Sequence, residues 1–175
     1  MVVVLVYAVE ILIAVLLKTT LFTHLAFGYY NIIPDLIVMI VVAAAYQRGK
    51  TKGMFVGFFA GLVLDIASGG YLGVFALFYM FLGYLNGFLA KYYVQNDILL
   101  PLMMAAASEF LFAFMCYVFL FLTHGRTHLG AYILYQMIPL AIYTCIVFIP
   151  VYRILDLIYW KVTKPLYTDY SKVET

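Results

Sequence analysis

The chain has 175 residues, of which 67% are hydrophobic and 10% charged. An average soluble domain carries about 25% charged residues, so this composition excludes a separate soluble domain and makes lipid the main solvent. The net charge of +2 is too small for a nucleic-acid-binding surface.

In chain order, the apolar runs predict six spanning helices. The first covers about residues 2–17 and could reach 25. No basic residue precedes it, Glu10 interrupts it and Lys18, Thr19 and Thr20 follow without a small-residue cleavage site, so it reads as a retained span rather than a secretory signal. The second and third cover about 32–46 and 53–67, and meet at a short basic loop holding Arg48, Lys50 and Lys52. Both fall short of the roughly 20 residues a spanning helix needs. The turn Ser68-Gly69-Gly70 separates the third from the fourth, about 71–90. The fifth covers about 98–122, with Pro101 in its first turn, where proline is tolerated. The sixth covers about 130–152, and Pro139 inside it should kink it. The segment after Pro150, with Arg153, Asp156, Tyr159, Trp160 and Lys161, suits a helix leaving the membrane at the cytoplasmic surface. The expected organisation is all-α: one compact six-helix transmembrane domain over residues 1–166 and a short polar cytoplasmic tail over 167–175.

Basic residues set the expected orientation. With the N-terminus inside, the internal segments hold Arg48, Lys50, Lys52, Lys91, Arg153, Lys161, Lys164 and Lys172, and the external segments only Lys18 and Arg126. The positive-inside rule then places both termini in the cytoplasm. Asp35 opens the second span and Asp65 closes the third, so both lie near the outer surface, with Lys18, His24, His124, Arg126 and His128. Glu10 and Glu109 fall near mid-depth. Glu109 shares a helix face with Ala105 and Ala113, which predicts a buried carboxyl, hydrogen-bonded or protonated. Acids at such positions hold a bundle together when neutral or paired, line a substrate or ion site, or contact a partner protein.

Gly53, Gly57, Gly61 and Asp65 are spaced by four and form one helix stripe. Gly57-x-x-x-Gly61 and Gly83-x-x-x-Gly87 allow close helix approach. The stripe should therefore face another helix, with Asp65 capping the Ser68–Gly70 turn or pairing with a basic group such as Lys18 or Arg126. Cys116 and Cys145 lie about 10 Å apart in depth, too far for a disulfide. His124 and His128 have no adjacent carboxylate or cysteine, so no metal site is expected there. No nucleophile–base arrangement, phosphate loop or other catalytic motif is present, so neither an enzyme nor a cofactor is expected.

The central stretch resembles the MreD family of rod shape-determining membrane proteins. The resemblance lies in Pro34-Asp35 opening a span, Arg48-Gly49 after it, and GFFAGLVLDIASGGYLG from Gly57 to Gly73. It implies a bundle similar to the substrate-binding subunits of energy-coupling-factor vitamin transporters. It also implies a non-catalytic scaffold of the bacterial cell-elongation machinery in the cytoplasmic membrane. The partners implied are an MreC-like protein, an MreB-like actin homologue, a RodA-type glycosyltransferase with its class B penicillin-binding protein, and membrane lipid. The positions carried over are Pro34, Asp35, Arg48, Gly57, Gly61, Asp65, Gly69 and Gly73. Glu109 is added from the residue reading alone, as a structural or contact candidate. Two rivals remain: a vitamin-uptake subunit, which would carry an Ala-x-x-x-Ala grip in its first span where Ala8 and Ala14 here stand six apart, and an intramembrane enzyme or ion carrier built on Glu10 and Glu109.

Overall fold

Eleven consecutive side chains, Leu36 to Tyr46, are buried on every side of one helix. That helix is the axis of the molecule. A computed structural model describes residues 2–21, 34–69, 72–92, 97–124, 129–133 and 137–170 of the chain.

Six long helices occur among the described residues, with no strand. They are α1 (Val2–Leu16), α2 (Leu36–Arg48), α3 (Lys50–Ser68), α4 (Val74–Asn86), α5 (Leu99–His124) and α6 (Ile138–Tyr170). A π-helical turn, Leu17–Leu21, extends α1, and a 3-10 segment, Gly87–Tyr92, extends α4. A single helical turn, Leu129–Tyr132, precedes α6. Four of these are long and apolar enough to cross a membrane: Lys50–Ser68, Val74–Tyr92, Leu99–Phe119 and Ile138–Lys161. The remaining two, within Val6–Leu16 and Leu36–Arg48, are shorter apolar helices. At about 1.5 Å per residue α2 covers only about 20 Å, against roughly 30 Å of hydrocarbon.

The placement of α2 follows from its composition. A helix that is apolar all round has no polar face to present, so it sits inside other helices or in lipid. Here α2 touches every other long helix. The α3–α4 hairpin packs on one flank, α5 and α6 on another, and α1 lies against α2, α3 and α6.

Several boundaries differ from those expected. The basic loop between the second and third spans shrinks to Gly49, whose φ of 84° is a conformation that glycine alone adopts at little cost. Lys50 and Lys52 therefore lie in the first turn of α3. Pro139 is the second residue of α6, not an interior kink, because a proline in the first turn has no intrahelical donor to lose. The helix carrying Pro150 continues to Tyr170, so residues 167–170 are helical, and 171–175 lie outside the described residues. His24, Arg126 and His128, and the side chain of His124, also lie outside them.

The tightest contact joins α3 to α4. A Cβ on Gly61 would sit 2.5 Å from the Cα of Ala76 and from the Phe75 carbonyl oxygen. On Gly57 it would collide with the Tyr79 carbonyl, on Gly83 with the Gly53 carbonyl, and on Gly87 with the backbone of Lys50. The two glycine series thus run antiparallel, backbone against backbone, as small residues permit in membrane bundles. The bulky side chains point the other way: Phe55, Phe58, Phe59, Phe81 and Phe88 are exposed apolar residues, suited to lipid.

Candidate functional site

The polar groups buried in this apolar bundle gather mainly at its two ends. At one end lie Asp35 and Asp65, 3% and 1% exposed. Asp35 is the N-cap of α2. One carboxylate oxygen accepts from the backbone N–H of Ile37 at 3.1 Å and of Val38 at 3.5 Å. The other accepts from Lys18 Nζ at 2.8 Å and from the Tyr79 hydroxyl at 2.5 Å. Lys18 is delivered by the π-helical turn that follows α1, so three separate elements converge on one carboxylate. Tyr79 stacks on Phe112 of α5 at 4.7 Å, which fixes its ring and brings in a fourth.

Asp65 has its own donors. Its oxygens accept from the backbone N–H groups of Gly73 at 2.9 Å, Phe75 at 3.2 Å and Ala76 at 3.1 Å. These are amides that begin α4 and have no intrahelical acceptor. The N-cap position itself is Gly73, with φ 98° and no side chain to cap with. The carboxylate from the end of α3 replaces that missing cap, and its negative charge lies at the positive end of the α4 dipole. Among the described residues the Asp65 carboxylate therefore takes its donors from the start of α4, and not from Ser68, Gly69 or Lys18 as the sequence suggested; Gly70 and Arg126 lie outside the described residues. The turn instead closes on the Asp65 backbone carbonyl, which accepts from Gly69 N at 3.2 Å and Ser68 Oγ at 3.2 Å. The two acids do not compete for one cation: Lys18 serves Asp35, and helix amides serve Asp65.

The opposite end is basic and aromatic. The Arg48 guanidinium lies over the rings of Tyr7 at 5.0 Å and Tyr159 at 5.1 Å, a geometry worth about 0.5–2 kcal/mol for each ring. Lys50 lies 3.9 Å from the Phe88 ring centroid, and Lys91 4.8 Å from that of Tyr92. Gln47 donates to Asp156 at 3.4 Å, and the Tyr46 hydroxyl to the Tyr92 carbonyl at 3.2 Å. Glu10 lines a small cavity here with Tyr7, Ala43, Gln47, Arg48 and Tyr159.

Of the residues singled out from the sequence, the structure brings together Asp35 with Lys18, and Asp65 with Gly73. Gly57 and Gly61 lie on the α3–α4 seam, Gly69 ends α3 in a left-handed conformation, and Pro34 is buried beside Asp35. Arg48 lies at the far end, with Glu10. Glu109 is 1% exposed on the inner face of α5, in a different cluster from Glu10. Sequence reasoning missed Tyr79. The available signal was spacing: Tyr79 stands four residues before Gly83 and so shares the α4 face that meets α3. It also missed the buried pair of Asn86 and Ser108, joined at 2.7 Å. Among the described residues no three His, Cys, Asp or Glu side chains come together as a metal site would require.

A bundle with a buried axial helix, small-residue seams, lipid-suited aromatic faces and polar groups gathered at two ends defines a helical membrane protein. The family model described as rod shape-determining protein MreD matches residues 1–162. The chain belongs to that family, and its role lies in determining rod shape. No curated protein and no solved structure matches it.

Proposed function

We propose that this protein is a non-catalytic scaffold of the bacterial cell-elongation complex. It links an MreC-like protein, an MreB-like filament and the peptidoglycan-synthesis enzymes in the cytoplasmic membrane. The observation that carries the reading is the family match over residues 1–162. The site chemistry supports it. The polar side chains at the acidic end are spent on helix termini and on one another, an arrangement that holds a shape rather than activates a nucleophile.

The chain crosses the bilayer six times in this reading, with both termini in the cytoplasm. Arg48, Lys50, Lys52, Lys91, Arg153 and Lys161 then meet the cytoplasmic surface, where anionic lipid and the filament lie. Asp35, Asp65 and Lys18 then lie beneath the periplasmic surface and fix the helix ends that meet the MreC-like partner. In α1 and α2, which are short for a bilayer, the span is completed by local thinning or by residues beyond the helix ends.

The test is co-purification of the MreC-like partner with Asp65→Ala, beside Lys50→Ala, at matched amounts of folded protein. Partner recovery should fall several-fold with Asp65→Ala and stay unchanged with Lys50→Ala. Equal recovery in both would remove the acidic end from the contact.

A further inference from the structure

Glu109 is a buried acid that the scaffold reading does not use. It projects from the face of α5 that also carries Ala105, Ser108, Phe112 and Ala113, all buried. Among the described residues, neither of its carboxyl oxygens has a hydrogen-bond partner. Thr144 on α6, 0% exposed, has a hydroxyl in the same condition. The two helices pack together, and the neighbour of Thr144, Cys145, lies within electrostatic reach of Glu109.

The titratable groups facing Glu109 can be named element by element. Asp35 comes from the start of α2 and Lys18 from the turn after α1. Tyr79 comes from α4, Cys116 from α5 itself and Cys145 from α6. Lys18 is the one cation in this set, and its Nζ is committed to Asp35 at 2.8 Å. The Tyr79 hydroxyl is committed to the same carboxylate. An ionised Glu109 would leave the cluster with a net negative charge, and that charge would have neither counter-ion nor donor in an apolar interior. Charges buried in that way are avoided by pairing or by neutralisation.

We propose that Glu109 is an internal proton-binding site: a neutral carboxylic acid held in the bundle core, with the buried hydroxyl of Thr144 on the neighbouring helix α6. The cluster then contains one lysine cation, one aspartate anion and one protonated glutamate, and is electrically neutral. The Glu109 O–H remains available to a small acceptor, and its carbonyl oxygen to a donor. Charge balance also states the condition for releasing the proton. Glu109 ionises when a cation is free to face it, and Lys18 is the cation in this cluster.

The test uses the full chain in lipid nanodiscs at neutral pH. Infrared spectra in water and in deuterium oxide should show the carbonyl stretch of a protonated carboxylic acid. That band should persist in Glu10→Gln, vanish when Glu109→Gln is added to that variant, and weaken in Asp35→Asn, which frees Lys18 to face Glu109. In parallel, the apolar reagent dicyclohexylcarbodiimide, which attacks protonated carboxyls, should leave an N-acylurea on the peptide containing Glu109 and none on that of Asp35. If Glu109→Gln does not fold, the spectrum of the Glu10→Gln protein with isotope-labelled glutamate decides alone. A glutamate spectrum with carboxylate bands only would overturn the proposal. So would a melting temperature that rises with added sodium or potassium chloride in wild type but not in Glu109→Gln, since the occupant would then be a metal cation.

Discussion

Asp65 shows how one side chain can substitute for a missing cap. Helix α4 starts at a glycine, and three of its first amides end on a carboxylate eight to eleven residues earlier. Asp65→Ala leaves those amides unpaired in a buried place, at a cost of about 2–3 kcal/mol. Asp65→Asn keeps one acceptor oxygen and should cost about 1 kcal/mol. Equilibrium unfolding in mixed micelles checks the order: wild type, then the asparagine variant, then the alanine variant. Asp35 joins a cap to an ion pair, so its two roles have to be separated. In a double-mutant cycle of Lys18→Met with Asp35→Asn, the coupling energy should be about 1–3 kcal/mol. The pair is largely withdrawn from solvent, with side-chain exposures of 23% and 4%. A coupling near zero would show that the 2.8 Å contact is screened by water.

At the scale of the element, the α3–α4 seam decides which helices form a unit. Glycine at Gly53, Gly57, Gly61, Gly83 and Gly87 removes the side-chain layer between them, and the backbones touch. Gly57→Leu and Gly61→Leu should lower the yield of folded protein and the stability by about 1–3 kcal/mol or more, because overpacking at a backbone contact cannot be relieved by a rotamer change. Gly130→Ala is the matched control, since a Cβ there meets open space. Its unfolding midpoint should match wild type. A Gly57→Leu protein with wild-type yield and midpoint would mean that this face meets lipid. The aromatic residues on the outer faces should tolerate exchange among Phe, Leu and Ile, because lipid makes no jigsaw demand on them.

The whole molecule is organised by polarity at its two ends around an apolar axis. One end uses buried carboxylates to hold helix starts, and the other sets its cations, the half-buried Arg48 and the exposed Lys50 and Lys91, against aromatic rings. Reporter fusions after Gln47 and after Lys172 should both read cytoplasmic if the chain crosses six times. A periplasmic reading at either position would leave α1 or α2 short of a full crossing. The outcome bears on α2 most of all, since its 13 residues are enclosed by protein rather than lipid.

Composition determined the membrane class, because too few polar residues exist to cover a soluble surface. Apolar run lengths and glycine punctuation located the first five helices to within about four residues, while the sixth starts at Ile138 and runs on to Tyr170; Gly49 and Pro139 were misread, since a single positive-φ glycine turns a chain as sharply as a longer loop. The four-residue spacing of Gly53, Gly57, Gly61 and Asp65 marked a contact face, because helical periodicity is a local property. Which helix meets that face was decided only in three dimensions. Runs such as Leu36 to Tyr46, apolar all round, show no preferred side, and in lipid no hydrophobic force ranks one neighbour over another. Helix rotation and depth therefore assigned Lys18 and Tyr79 to Asp35, gave the α4 amides to Asp65, and left Glu109 among apolar side chains. The residue types of these clusters were legible in the sequence. Their pairing was not, because it joins distant positions, such as Lys18 and Tyr79, 61 residues apart, through packing that no local pattern records.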